Sequence, residues 1–265
     1  MIEALFFVKL LIAISFVVGL SLLAENVSTK VAGILSAYPT GSAISLFFFG
    51  LEVSPEFAAD SAIYNMLGLS AALFFVLAYY LASTYFNKFS ILWSSISGIL
   101  VYLVVVWSIH YIEVNRYIAF LIPSTIAVLF AFAFRNIKNI DIQSRAKLSY
   151  RTLLLRGSFA ALIIVVITSL PNYVGASWSG LFSAFPTTLF PFMLIIHFTY
   201  TKDHVHTIIK NVPIGVFSLI IYSLVVSLIY PVLGIYWGTL VSFIAATLYL
   251  LLFREVKKRM VLSQV

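Results

Sequence analysis

The sequence predicts an all-α polytopic membrane protein of about nine transmembrane helices, two inverted four-helix repeats joined by a central linker helix. Three observations predict it: the composition, the placement of the basic residues, and a self-similarity at a fixed offset. Of 265 residues, 62% are hydrophobic and 9% are charged, against roughly 25% charged in a soluble chain. Sixteen Lys and Arg against nine Asp and Glu leave a net charge of +7. So few charges cannot build a basic face, which excludes nucleic acid as a partner. The absence of cysteine excludes disulfides, thiolate nucleophiles and Cys-ligated metals.

A hydrocarbon core about 30 Å thick takes about 20 helical residues. Apolar stretches of about that length run from Ala4 to Leu23, Val31 to Leu51, Ala62 to Phe86, Ile91 to Ile112 and Tyr117 to Phe134. A shorter one, Gly157 to Pro171, follows, and then Val174 to Tyr200, Pro213 to Pro231 and Leu233 to Phe253, the last two divided near Pro231, Gly234 and Tyr236. The first is read as a retained span, not a cleaved leader, because Glu3 stands where a leader carries basic residues.

Nine crossings put the termini on opposite sides. With the loop from Arg135 to Arg156 in the cytoplasm, 14 of the 16 basic residues fall inside, and only Lys9 and Arg116 remain for the outer side or its edge. This follows the positive-inside rule and predicts an integral inner (plasma) membrane protein with its N-terminus outside and its C-terminus cytoplasmic. Asn26-Val27-Ser28 matches a glycosylation pattern, but that loop is then internal and no glycan is expected.

Shifting the chain by 147 residues superimposes Gly33, Ser36, Ala37, Pro39 and Thr40 on Gly180, Ser183, Ala184, Pro186 and Thr187, with Tyr38 on Phe185 and Gly68 on Gly215. Lys9 falls on Arg156. The divisions are a first repeat at 1–112, a linker helix at 113–134, a basic loop at 135–156, a second repeat at 157–253 and a basic tail at 254–265. Four spans return the chain to its starting side, so the linker helix makes the second repeat enter from the opposite face, the architecture of many secondary transporters.

Paired Pro or Gly interruptions in equivalent spans point to a midplane site. Ser36, Tyr38, Pro39 and Thr40 face Ser183, Phe185, Pro186 and Thr187 in that role. Each proline removes an N–H, so a carbonyl one turn back is expected to turn to a hydroxyl, water or ligand; a simple kink repaired by Ser and Thr is the competing reading. Lys9 and Arg156, flanked by apolar residues, are candidate partners for an anionic substrate, or snorkelling cations. His197 and the His110/Glu113 pair, the latter on one helical face, are titratable candidates near span ends; His204 and His206 read as a solvated loop. The four Trp residues read as interfacial anchors. No carboxylate occupies a span centre, and no phosphate loop, metal motif or catalytic triad emerges, so a non-enzyme without cofactor or metal is expected.

Asn172-Tyr173-Val174 followed by Gly180-Leu181-Phe182 and Phe185-Pro186-Thr187 resembles the GlpM-like family of small bacterial inner-membrane proteins, of which this chain would be a fused tandem of two. The resemblance implies an inner-membrane location and a link to envelope polysaccharide production. The function expected from the residues is a transporter or permease for a small polar or anionic solute or lipid head group, in the lipid bilayer and possible as an oligomer. The alternative is a non-transporting accessory protein for envelope polysaccharide or lipid assembly.

Overall fold

The computed structural model describes residues 29–140 and 150–262, with isolated positions at 8, 11, 12, 14, 15 and 19. Lys9, most of the expected first span, Asn26-Val27-Ser28 and the middle of the basic loop lie outside the described residues. Among the described residues every regular element is helical: α1 (Thr29–Ser36), α2 (Thr40–Glu52), α3 (Pro55–Tyr85), α4 (Ser90–His110), α5 (Arg116–Ala133), α6 (Tyr150–Ser169), α7 (Ala176–Ser183), α8 (Leu189–Thr199) and α9 (Lys202–Leu262).

The second and seventh expected spans are each two helices, α1 with α2 and α7 with α8, broken at their prolines. The third begins earlier than Ala62. Ser54 caps it, its Oγ accepting from the Phe57 N–H at 3.1 Å, with Pro55 in the first turn and Glu56 behind it, three features that favour a helix start. Asn115 caps α5 in the same way, its Oδ1 accepting from Tyr117 and Ile118.

The last element would extend about 80 Å if its 55 residues from Lys202 to Val256 were straight. It is not straight, because Gly234 sits at φ 71° and ψ 177°, a conformation essentially reserved for glycine. The chain turns back there. Phe217 meets Tyr249 at 6.1 Å, Tyr222 meets Phe243 at 5.0 Å, and the Tyr230 hydroxyl bonds Thr239 at 2.6 Å. Residues 202–233 and 235–262 are therefore two antiparallel arms, divided within the expected turn, with the first beginning at Lys202 and not at Pro213.

α3 occupies the centre and packs on α4, α5, α7 and α9. Leu73, Phe75, Val76 and Tyr79 are fully buried along it. α4 shows the opposite pattern, with Leu92, Ile96, Leu100, Leu103 and Trp107 exposed at helical spacing; Leu240, Ile244, Leu248 and Leu251 repeat it on the second arm. Such continuous apolar stripes are unfavourable in water and match lipid tails. Among the described residues five helical stretches are long and apolar enough to cross a bilayer: Val31–Glu52, Pro55–Tyr85, Ser90–His110, Arg116–Asn136 and Lys202–Val256. By helix length and hydropathy this is a helical membrane protein.

Basic segments collect at one end of the bundle. The Lys202 Nζ donates to Asn87 Oδ1 at 3.0 Å, Lys210 donates to the Ile137 carbonyl, and the Ile140 N–H reaches Thr207 at 2.8 Å. At the other end His110 stacks on Trp178 at 3.9 Å, and Arg116 donates to the Ser227 carbonyl at 3.0 Å.

Candidate functional site: the crossing of two broken helices

Proline at 39 and 186 stops each helix because its N–H is missing and its ring collides with the preceding turn. The two stops have one backbone geometry. Tyr38 N donates to Leu35 O and Phe185 N to Phe182 O, both at 3.0 Å; Thr40 N donates to Tyr38 O at 2.6 Å and Thr187 N to Phe185 O at 2.7 Å. Beyond each proline, Ala43 N returns to Pro39 O and Phe190 N to Pro186 O.

This corrects one expectation from sequence. The carbonyls one turn before the prolines, Leu35 and Phe182, need no hydroxyl, because the chain tightens and supplies the N–H of the residue before the proline. Two carbonyls, Ser36 O and Ser183 O, are met by hydroxyls from the opposite break: Thr188 Oγ1 donates to Ser36 O at 2.9 Å, and Ser42 Oγ donates to Ser183 O at 3.1 Å. The end of α1 is thus capped from the start of α8, and the end of α7 from the first turn of α2. Ser36 and Ser183 hydroxyls fold back onto Gly33 and Gly180 carbonyls, at 2.9 and 2.7 Å.

Asn65, fully buried on α3, ties the crossing to its surroundings. Its amide nitrogen donates to Ser183 Oγ at 2.7 Å and Ser42 Oγ at 3.1 Å, while its Oδ1 accepts from Ser223 Oγ at 2.7 Å. One side chain thereby joins α2, α7, α3 and the first arm of α9. A polar group in lipid depends on such partners.

Beside this node lies a cavity of about 30 Å³. Its walls include Ala37 and Ala184, Tyr38 and Phe185, Gly41 and Thr188, Leu69 and Val216, and Ala72 and Leu219, each pair separated by 147 residues. Thr187 also lines it. That residue is 2% exposed, and its hydroxyl lies against Gly41. The volume suffices for one water-sized species, so any larger solute requires the half-helices to separate.

The glycine contacts recur at the same offset with the partners exchanged. Gly33 lies against Ile208 and Asn211, and Gly180 against Ser61 and Tyr64; Gly68 lies against Leu181 and Ala184, and Gly215 against Ile34 and Ala37. A Cβ at Gly180 would stand 2.1 Å from the Ser61 carbonyl oxygen, and one at Gly215 would stand 2.6 Å from that of Ile34. Glycine is required at both for the close approach of backbones.

Of the residues marked from sequence, Ser36, Tyr38, Phe185, Pro186 and Thr187 line the cavity. Pro39, Thr40 and Ser183 shape the breaks behind it. Tyr38 reaches outward, its hydroxyl bonding Thr247 at 2.8 Å, whereas Phe185 packs edge-on to Tyr102 at 5.0 Å. Lys9 and the side chain of Arg156 lie outside the described residues; Arg156 itself belongs to α6. Asn65 is an addition that the sequence reading missed, while Gly41, Ser42 and Thr188 belong to the two proline elements without a role assigned from sequence. Asn65 had a usable signal, a lone amide at the middle of an apolar helix, but its position 147 residues on is Val212, so the repeat does not mark it.

Two other expectations change. α4 ends at His110, and Glu113 lies in the following loop, exposed, so the two share no helical face. His204 and His206 are helical because α9 begins at Lys202; His206 is 8% exposed and bonds Ser83 Oγ at 2.8 Å. Among the described residues no three His, Cys, Asp or Glu side chains gather as a metal site. No protein-family model, no curated protein and no solved structure matches the chain.

Proposed function

We propose that this protein is a membrane transporter or permease made of two inverted four-helix repeats, 1–112 and 157–253, whose passage for a small polar solute runs through the crossing of α1–α2 with α7–α8. Residues 113–134 form the linker crossing that turns the second repeat over, nine crossings in all, with the basic end of the bundle in the cytoplasm. The observation that carries this reading is the exchange of partners at the 147-residue offset: the same glycines, the same break geometry and the same cavity walls occur twice. Two interchangeable halves give two arrangements of similar energy, one open to each side. An accessory protein has no use for that degeneracy. The crossing offers hydroxyls, carbonyls and an amide in an apolar surround, which suits recognition of a polar solute by hydrogen bonds.

The test is untargeted metabolite profiling of cells with the wild-type protein, without it, and with Gly41→Val, whose side chain would overlap Thr187. The proposal expects one solute class to shift between cells and medium with wild type alone. Identical profiles in all three strains would count against transport.

A further inference from the structure

A second recess, about 640 Å³ and open to the outside, lies at the basic end between the α3–α4 turn and the α8–α9 junction. It is separate from the crossing and independent of any transport role. Four groups in it are donors or can act as donors. Lys202 reaches across it to Asn87 at 3.0 Å, and an ammonium group has further protons to give. Ser90 lines it with its hydroxyl buried and unpartnered. His197 lines it at 8% exposure, and among the described residues only its Nδ1 is engaged, by the Tyr79 hydroxyl at 2.9 Å, which leaves Nε2 to a ligand. The fourth is the N-terminus of the 21-residue α4, which no side chain caps, so its first-turn N–H groups and positive dipole end face the recess.

Among the described residues no carboxylate lines the recess, and the neighbouring Asp203 is turned toward His206 at 3.9 Å. Phe89, which precedes α4, is held at φ 55°, a left-handed conformation that a phenylalanine adopts only under constraint. That conformation delivers the helix start into the recess. The rim is aromatic, with Phe89 66% and Phe198 72% exposed and Phe86 stacked on Trp93 at 5.4 Å, the composition of a membrane–water boundary.

We infer that this recess binds a phosphate group, that of an anionic phospholipid head group lying at the cytoplasmic boundary. Phosphate oxygens accept from Lys202, Ser90, His197 and the α4 N–H groups, while the acyl chains follow the exposed apolar face of α4. Native mass spectrometry of the detergent-purified protein tests it, with phosphatidylglycerol and with diacylglycerol of the same chains. Wild type is expected to retain one phosphatidylglycerol in preference to diacylglycerol. Lys202→Gln is expected to weaken this about tenfold, the loss of one charge-assisted bond, and Ser90→Ala to weaken it less. Lys88→Gln, a cation on the same surface outside the recess, is expected to leave it unchanged.

Inorganic phosphate at millimolar concentration separates the two sources. No displacement of the lipid supports the head group, and displacement that depends on Lys202 supports a soluble phosphate in the same recess. Equal retention of the two lipids, or equal loss in Lys88→Gln and Lys202→Gln, would overturn the assignment. The Lys202–Asn87 contact is at the surface, where such pairs contribute little to stability, so loss of binding in Lys202→Gln is not a folding defect; an unchanged melting temperature checks this.

Discussion

Replacing Asn65 by leucine keeps the volume and removes three hydrogen bonds, two donated by its amide and one accepted from Ser223. The three losses are not equal. Ser42 and Ser183 still donate to Ser183 O and Gly180 O and lose only an acceptor role. Ser223 loses the one acceptor its hydroxyl has, leaving a fully buried donor unsatisfied. Intramembrane hydrogen bonds contribute about 0.6 to 1 kcal/mol each, so Asn65→Leu should cost about 2 to 3 kcal/mol. Ser223→Ala alone should cost about 1 kcal/mol, because it orphans Asn65 Oδ1. In the double variant the shared bond is counted once, so its cost should fall about 1 kcal/mol short of the sum. Thermal or denaturant unfolding of the purified protein in one detergent measures all four members of the cycle. Strict additivity, or an Asn65→Leu protein as stable as wild type, would refute the bonded node at the crossing.

Three further outcomes follow from the same geometry. Gly180→Ala places its methyl against the Ser61 carbonyl and should cost about 1 to 3 kcal/mol by overpacking, outweighing the roughly 1 kcal/mol gain in helix propensity, whereas Gly175→Ala, with open space around it, should cost under about 1 kcal/mol; melting temperatures compare them. Gly234→Ala should lower stability by about 1 to 3 kcal/mol although nothing stands within 4 Å of its position, since the penalty is conformational; the same melts read it. Thr187→Val, which removes a hydroxyl from the cavity wall, should change stability by less than about 1 kcal/mol while abolishing any solute shift seen in metabolite profiling, so that a parallel loss of stability and function would argue for a structural role.

What could be read in the sequence was whatever the chain states locally. Pro39 and Pro186 lack a donor wherever they stand, so the breaks were legible before their partners were known. Gly33 and Gly180 were legible as a repeated pair, but not what approaches them, since that depends on α3 and α9 lying alongside. The hydroxyl exchange between Thr188 and Ser42 was illegible for a sharper reason: the residues occupy non-equivalent positions in the repeat, and only the crossing brings each to the other's helix end. The apolar stretch from Ala62 misses the start of α3 at Pro55, because Glu56 and Asp60 interrupt the apolar pattern within the helix. The heads of α9 and of α3 share that fault, as apolarity locates the lipid-facing part of a helix and not where the helix begins.

The central claim, a passage through the crossing that opens to both sides, is tested most directly with thiol chemistry, for which a chain free of cysteine is an ideal background. Single cysteines at Thr187 and Ala72, both on the cavity wall, would be challenged with a membrane-impermeant thiol reagent in right-side-out and inside-out vesicles, with Glu56→Cys and Lys138→Cys marking the two surfaces. The account predicts that the cavity cysteines react from either side, reaction from one side blocking the other, while the two markers react from opposite sides only. Cavity cysteines that react from one side alone, or from neither while reacting fully once the protein is unfolded, would contradict it.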